Sequence, residues 1–187
     1  DAQLLAKRPR ALTAEEACTL PVTWSTVHVS LGRAGLCTTW RLLLPAATGG
    51  VGLAACEYAL WLRAHVAATA SRFVKHRHLR LLGLVHLGSS REAPAFAQGT
   101  PHPLQGERLQ LVLNSLSLDF VAASFAALGE GGAFEEIGKR GIWAAQRRTA
   151  AAPRAAYCAI ALDADLAHAP AWMHGVLQKL AARADAA

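Results

Sequence analysis

The residues best suited to chemistry in this sequence form a glycine turn between an apolar strand and a helix. Residues 42–62 have the sequence LLLPAATGGVGLAACEYALWL. Leu42 to Leu44 predict a buried strand, residues 47–52 a tight turn, and residues from Val51 onward an apolar helix. The free N–H groups and the positive dipole end at the start of such a helix attract phosphate. The order of these elements therefore predicts a phosphate-binding turn.

The small residues of this turn follow, with one exception, the G-x-G-x-x-G pattern of dinucleotide-binding folds. Ala47, Gly49 and Gly52 occupy its three positions, so the first glycine is replaced by alanine. In such a turn Gly49 lets the backbone approach a pyrophosphate, and Gly52 lets the helix pack closely on the strand. An ordinary glycine turn in an α/β protein is the alternative interpretation.

The residues after the second predicted strand favour one cofactor. Dinucleotide folds that prefer NAD usually end this strand with an acidic residue that binds the ribose diol. Here the sequence offers Ser71, Arg72 and Lys75, with no carboxylate among them. Because charge-assisted hydrogen bonds to phosphate are roughly twice as strong as neutral ones, the cluster predicts binding of the 2′-phosphate of NADPH. A solvated basic helix face is the alternative, since Arg77, His78 and Arg80 lie nearby.

The elements that must position these residues alternate between strand and helix. Candidate strands cover residues 42–45, 65–69, 85–87, 109–114, 133–137 and 157–162. Helices are predicted after Thr13, where Glu16 has capping-box spacing, then through Trp24 and Val27, over 75–82 and 120–128, and from Pro170 onward. Residues 89–108 are loop-like, with a short helix around Ala95. The pattern predicts an α/β fold: a Rossmann-type, doubly wound parallel sheet with helices on both faces.

Composition limits the class of protein. With 187 residues, of which 53% are hydrophobic and 17% charged, the chain is expected to be one domain over residues 1–187. No apolar run is long enough to span a membrane, and the N-terminus lacks a signal-peptide core, so a soluble, cytoplasmic protein is expected. The formal charge is +6, but the basic residues are dispersed and few aromatics lie among them, so nucleic-acid binding is not expected.

The cysteines and histidines suggest no metal site. Cys18, Cys37, Cys56 and Cys158 form no CxxC pair and have no histidine at ligand spacing. They are expected to be buried free thiols. His76 and His78 are two residues apart on a predicted helix, where they point to different faces.

Six segments carry a family resemblance: LPVTWSTVHVSL, AATGGVGLAA, TASRFVKHRHLRLLGL, LVLNSLS, GEGGAFEEIGKRGIW and YCAIALDAD. In this order they resemble the enoyl reductase domain of modular polyketide synthases and type I fatty acid synthases, a branch of the medium-chain dehydrogenase/reductase superfamily. The resemblance covers nearly the whole chain. VLNSL followed by EEIGKR is far more distinctive than any glycine pattern.

The resemblance implies a reaction and its partners. NADPH would deliver hydride to the β-carbon of an enoyl thioester carried by acyl carrier protein, and a proton would reach the α-carbon, with no metal. Ketoreductase and dehydratase domains of the same synthase would be neighbours. The family also has a substrate-binding domain, built from sequence before and after the nucleotide-binding domain, and this chain is expected to lack most of it.

The resemblance also assigns roles by position. Gly49, Gly50, Val51 and Gly52 would contact the pyrophosphate, Ser71, Arg72 and Lys75 the adenosine phosphate, and Asn114, Ser115 and Leu116 the region near the nicotinamide ribose. Thr48, Ile137 and Gly138 would be further cofactor-binding residues. Lys139 and Asp163 fall where the family's candidate proton-donating pair lies. An unperturbed Asp, with a pKa of about 3.9, is ionised at neutral pH, whereas Lys, at about 10.4, can donate. Lys139 is therefore the better acid and Asp163 its partner, or the two form a structural ion pair.

The sequence leaves two other functions open. One is a non-catalytic scaffold remnant of a reductase in a multidomain synthase. Such a remnant has no reason to keep Gly49, Gly52, Lys75 and Lys139 together. The other is a stand-alone quinone or zeta-crystallin-like reductase, which the segments LVLNSL and EIGKRGIW disfavour.

Overall fold

A computed structural model of the chain describes residues 4–99, 108–117 and 119–186. Its six strands form one sheet in the order β3-β2-β1-β4-β5-β6, and every neighbouring pair is parallel. The strands are β1 Arg41–Leu44, β2 His65–Ala70, β3 His86–Ser89, β4 Leu109–Asn114, β5 Leu128–Glu136 and β6 Ala156–Ala159. This topology confirms the predicted Rossmann-type parallel sheet.

Helices connect the strands and precede and follow the sheet. They are α1 Ala14–Cys18, α2 Leu20–Arg33, α3 Gly50–Trp61, α4 Phe73–Leu81, α5 Ala93–Gly99, α6 Asp119–Ala127, α7 Ala145–Ala151, α8 Leu162–His168 and α9 Pro170–Ala186. The predicted capping box is confirmed: the Glu16 N–H donates to Thr13 Oγ1 at 3.2 Å, and the Thr13 N–H donates to the Glu16 carboxylate at 2.9 Å. The last helix begins at Pro170, as the sequence predicts.

Strand β1 is covered on both faces of the sheet, which explains its unbroken apolar sequence. Leu42 and Leu44 face one side, where they pack in a core cluster with Leu31 and other residues of α2, α3 and α4. Leu43 faces the other side and packs in a second cluster with Phe125 of α6. Helices on both faces thus bury β1 at the centre of the sheet.

The structure changes the bounds of two predicted elements by several residues. β5 begins at Leu128, five residues before the predicted start, because the helix expected over residues 120–128 ends at Ala127. β6 ends at Ala159 and not at residue 162, because the Ala161 carbonyl accepts the N–H groups that start α8. Strand 109–114 has the predicted bounds, and β1, β2 and β3 differ by one or two residues at an end.

The segment predicted to be loop-like contains more regular structure than expected. Strand β3 continues to Ser89, and α5 confirms the short helix expected around Ala95. The prediction for residues 100–107 lies outside the described residues.

The prediction of buried thiols is wrong for three of the four cysteines. All four are free, but only Cys56 is buried; Cys18 and Cys37 are exposed, and Cys158 is half-buried. Cys18 lies on α1, which buries none of its residues, and Cys37 lies in the connection before β1. Burial raises the pKa of the Cys56 thiol to about 12, so this thiol is inert at neutral pH.

The described ranges show neither a metal-binding cluster nor a membrane-spanning helix. Residues 4–99, 108–117 and 119–186 contain no group of three or more His, Cys, Asp or Glu side chains arranged to hold a metal ion. Within the same ranges, no helix has the length and apolarity needed to cross a membrane.

Gly52 is the point where α3 meets the turn after β1. A Cβ at Gly52 would lie 2.6 to 2.7 Å from the carbonyl oxygen, carbonyl carbon and Cα of Ala47. Ala47 is fully buried, and its N–H donates to the Thr69 carbonyl at 2.9 Å, so this backbone has no room to move away. The expected role of Gly52 in close helix packing is confirmed. At Gly49, by contrast, a Cβ would meet only the Ala46 carbonyl oxygen, at 3.6 Å, among the described residues.

We expect Gly52→Ala to lower the free energy of unfolding by about 1–3 kcal/mol, because the added methyl group overpacks a buried backbone. Gly49→Ala is the matched control, since the same methyl group has space there and should lower stability less, through a poorer N-cap alone. Chemical denaturation of the two variants measures the difference. Equal destabilisation by both substitutions would contradict this account of Gly52.

The Glu135 carboxyl group is buried near the end of β5. Its side chain is 4% exposed, and Oε2 has no hydrogen-bond partner in the described part of the chain. Burial raises the pKa of Glu135 to about 7, although the nearby Arg33 guanidinium of α2 opposes this shift. The folded protein therefore holds a proton here that the unfolded chain releases at lower pH.

This buried carboxyl predicts a pH dependence of stability. Because the folded pKa is raised, the stabilisation is fully present below about pH 4.5 and is lost as the pH rises through about 7. Glu135→Gln should remove that part of the dependence in thermal unfolding curves. Glu57→Gln, at an exposed position on α3, is the control and should leave it unchanged. Identical pH profiles for Glu135→Gln and the unsubstituted chain would refute the assignment.

Candidate functional site

The predicted site residues meet at one edge of the sheet. Because all six strands are parallel, their carboxyl ends lie on the same side. The strand order reverses between β1 and β4, and ligands of such folds bind in the crevice at that point. The glycine turn follows β1, Ser71 follows β2, Ser115 follows β4 and Ile137 follows β5. The structure thus brings together four groups that are distant in sequence.

The glycine turn presents the start of α3 without a side-chain cap. Gly49 is the N-cap residue, with extended backbone angles, and the first turn contains no acidic side chain. The first helical hydrogen bond runs from the Leu53 N–H to the Gly49 carbonyl at 2.9 Å, so the N–H groups of Gly50, Val51 and Gly52 precede it. Thr48, half-buried, directly precedes the cap. This arrangement suits an anion.

The end of β2 holds this turn in place. The Ala46 N–H donates to Thr69 Oγ1 at 3.2 Å, and the Ala47 N–H donates to the Thr69 carbonyl at 2.9 Å. Ala46 has a positive φ of 52°, an uncommon conformation for a residue with a side chain. Thr69, 2% exposed, therefore fixes the turn through both its side chain and its backbone.

The basic cluster predicted from the sequence, Ser71, Arg72 and Lys75, lies at the junction of β2 and α4. Ser71, Arg72 and Lys75 are all exposed, and Arg72 is the N-cap residue of α4. Within the described ranges, neither Arg72 nor Lys75 forms an ion pair with a carboxylate. The neighbouring His76 contacts the end of β2, with its ring Nε2 2.8 Å from the Ala70 carbonyl oxygen. Two unneutralised cations thus stand beside the second strand.

Asn114 organises the end of β4. Its amide is fully buried; Nδ2 donates to the Leu116 carbonyl at 2.7 Å, and Oδ1 accepts the Leu116 N–H at 3.3 Å. Ser115 Oγ donates to the Pro45 carbonyl at 3.3 Å, which joins this segment to the turn after β1. Segment 114–116 therefore lies against the glycine turn, as expected for residues of one site.

Glu136, which lies in the segment EEIGKR but received no role from the sequence, is a hydrogen-bond partner of this segment. Asn114 Nδ2 donates to Glu136 Oε2 at 2.8 Å, and the Gly138 N–H donates to Glu136 Oε1 at 2.6 Å. Burial raises the pKa of Glu136, while these two hydrogen bonds act in the opposite direction. A charged residue at the end of the apolar strand AFEEI was the signal that could have identified it.

Lys139 and Asp163 come together although they are 24 residues apart, with Lys139 Nζ 3.3 Å from Asp163 Oδ2. Both side chains are about three-quarters exposed. The hydrogen bond from Lys139 is the main reason that the pKa of Asp163 lies below its ordinary value. Asp163 is therefore ionised at neutral pH.

Known proteins share both the sequence and the fold of this chain, although no protein-family model matches it. It is 33% identical over 182 residues to a phenolphthiocerol/phthiocerol polyketide synthase of Mycobacterium tuberculosis, an alignment that covers 96% of this chain and 8% of that synthase polypeptide. The chain therefore spans a small part of that relative.

Two solved structures refine the comparison. The CurK enoyl reductase superposes with a TM-score of 0.90 and 32% identity, over 96% of this chain and 54% of that one. The nucleotide-binding subdomain of the enoylreductase domain of PpsC from Mycobacterium tuberculosis superposes with a TM-score of 0.76 and 30% identity, over 86% of this chain and 91% of that one. The chain therefore belongs to the enoyl reductase domains of polyketide synthases, in the medium-chain dehydrogenase/reductase superfamily, and matches their nucleotide-binding subdomain.

Proposed function

We propose that this chain binds NADPH and serves the reduction of the α,β double bond of an enoyl thioester on acyl carrier protein, in polyketide or fatty acid synthesis. The observation that carries the proposal is the meeting of the glycine turn, the basic cluster and segments 114–116 and 136–138 at the strand-order reversal. The family of the chain makes a nicotinamide cofactor the ligand to test there.

The space at Gly49 supports a pyrophosphate beside the turn. Gly52 is required by the protein's own packing, but no contact within the described part of the chain requires glycine at position 49. A ligand that approaches the backbone closely explains that residue. In this proposal the pyrophosphate is bound by Thr48, Gly49, Gly50, Val51 and Gly52. The N–H groups at the start of α3 would donate to its oxygens.

The exposed cations after β2 support NADPH over NADH. Arg72 and Lys75 lack carboxylate partners in the described part of the chain, and no acidic residue lies in the first turn of α4. A ribose 2′-phosphate would supply the missing negative charge, with Ser71 as a further hydrogen-bond donor. The ribose diol of NADH is uncharged and would leave Arg72 and Lys75 without an anionic partner.

The proposed reaction needs a hydride from the cofactor and a proton from one side chain. Bound NADPH supplies the hydride that adds to the β-carbon of the enoyl thioester. Segments 114–116 and 137–138 hold the nicotinamide side of the cofactor. Lys139 gives its Nζ proton to the α-carbon, and Asp163, ionised beside it, orients the ammonium group.

The partners of this reaction follow from the relatives. The matched relatives are polyketide synthases, and acyl carrier protein would deliver the thioester to this site. Ketoreductase and dehydratase domains would act on the same acyl chain before the reductase. A cytoplasmic location fits such a synthase.

The first test is a titration of this chain with NADPH and with NADH, followed by nucleotide fluorescence. We expect NADPH to bind more tightly. Lys75→Ala should weaken NADPH binding by about tenfold to a hundredfold, because a charged hydrogen bond is lost, and should leave NADH binding unchanged.

Arg80→Ala is the matched control, because it removes the same charge at the other end of α4. Equal losses for NADPH and NADH in Lys75→Ala would refute the 2′-phosphate assignment. If the folded chain bound neither cofactor, the scaffold alternative would replace the proposed function.

The proton donor is tested in a reductase that joins this chain to a substrate-binding half. Lys139→Ala should lower turnover of an enoyl thioester by about 10²- to 10⁴-fold and leave NADPH affinity unchanged, because a general acid is lost. Lys139→Arg should be equally slow, since arginine keeps the positive charge but does not release its proton.

Arg140→Ala controls for the loss of an exposed neighbouring cation and should retain turnover. If Lys139→Arg kept the turnover of the unsubstituted reductase, only the positive charge at position 139 would matter. Lys139 and Asp163 would then form a structural ion pair.

A further inference from the structure

The proposed roles do not use the buried Glu136 carboxylate at this edge of the sheet. The Glu136 side chain is 3% exposed, and two N–H donors converge on its carboxylate. Asn114 Nδ2 lies 2.8 Å from Oε2, and the Gly138 N–H nitrogen lies 2.6 Å from Oε1. The first donor comes from the end of β4 and the second from the loop after β5. The carboxylate therefore spans both segments.

The backbone on either side of Glu136 reinforces this link. The Ile137 N–H donates to the Asn114 carbonyl at 2.9 Å, and the Ile160 N–H donates to the Glu136 carbonyl at 2.8 Å. The ends of β4, β5 and β6 are thus held together around one residue. Because Asn114 also makes two hydrogen bonds to Leu116, the position of segment 114–116 depends on the same contact.

The exposed ion pair is too weak to fix the loop that carries Lys139. Lys139 and Asp163 are about three-quarters exposed, and ion pairs in contact with solvent contribute little to stability. Gly138, immediately before Lys139, is held by the buried carboxylate instead. A Cβ at Gly138 would lie 2.6 Å from Glu136 Oε1, so glycine at this position permits the contact.

We propose that Glu136 is a positioning residue whose buried carboxylate fixes segments 114–116 and 137–139 relative to each other. The nicotinamide half of NADPH and the Lys139 side chain are thereby held next to each other. The inference rests on the proposed function for the identity of the cofactor. Glu136 contacts neither substrate nor cofactor in this proposal and acts only through Asn114 and Gly138.

The chemistry of the two hydrogen bonds provides a specific set of variants. Glu136→Gln leaves one acceptor for two donors, so one N–H group faces an amide NH₂. Asn114→Asp places two carboxyl groups against each other. In the double variant the new amide NH₂ at position 136 donates to the new carboxylate at position 114, while the amide oxygen accepts the Gly138 N–H. The double variant still loses the bond from position 114 to the Leu116 carbonyl, so its recovery is partial.

The experiment compares two ligands of this chain, NADPH and adenosine 2′,5′-bisphosphate. The second keeps the adenosine and its 2′-phosphate but has no nicotinamide. Glu136→Gln should weaken NADPH by about tenfold or more and leave the bisphosphate unchanged. The double variant should bind NADPH more tightly than Asn114→Asp alone. Glu135→Gln, a neighbouring buried carboxyl on the opposite face of the sheet, is the control and should not change the ratio of the two affinities.

A second measurement keeps this inference separate from the proposed function. The amide proton of Gly138, followed by NMR without ligand, should shift in Glu136→Gln together with that of Leu116, and should stay in place in Glu135→Gln. If the unsubstituted chain bound no NADPH, the proposed function would fail and the NMR shifts would still decide whether Glu136 fixes the loop. Equal changes for both ligands in Glu136→Gln, unchanged NADPH affinity, or a Gly138 amide that does not move would each overturn the inference.

Discussion

The burial of β1 on both faces is the constraint on which the rest of this structure depends. Its three leucines are paired with β2, Leu42 and Leu43 are also paired with β4 on the other side, and helices cover the strand above and below. Because neighbours enclose β1 on all sides, the residues after it become accessible only beyond the carboxyl end of the strand. The turn after β1 therefore emerges where the two halves of the sheet diverge, beside the ends of β2, β4 and β5.

The local sequence pattern is sufficient to predict the structure where a feature depends on a single helix, strand or turn. The glycine turn, the close packing at Gly52, the capping box at Thr13 and strand 109–114 follow from apolar runs and from residue types with narrow backbone or packing requirements. The start of β5 was missed because LGEGG contains glycines and a charge, which are poor strand formers. Leu128 is a strand residue only because it pairs with Leu109, a contact that spacing does not reveal.

The site could be predicted less completely than the fold. Its glycines and basic residues are contiguous in sequence and have recognisable chemistry. The proximity of Lys139 and Asp163 is predicted only through the family resemblance, since no spacing rule joins residues that far apart. The link between Asn114 and Glu136 was missed because it depends on the pairing of β4 with β5 and on burial, which together turn an apparently solvent-facing carboxylate into an internal acceptor.

Gly49 and Gly52 lie three positions apart in the same turn, but the protein's own packing constrains only Gly52 within the described part of the chain. Gly52 is held by the protein's own backbone, and Gly49 has free space around it within the described part of the chain. A variant of this protein that binds no nucleotide would still need Gly52 for folding, but it could accept a side chain at position 49. If the proposed function holds, Gly52 is required for folding and Gly49 for ligand binding, so a loss of nucleotide binding would remove only the requirement at position 49.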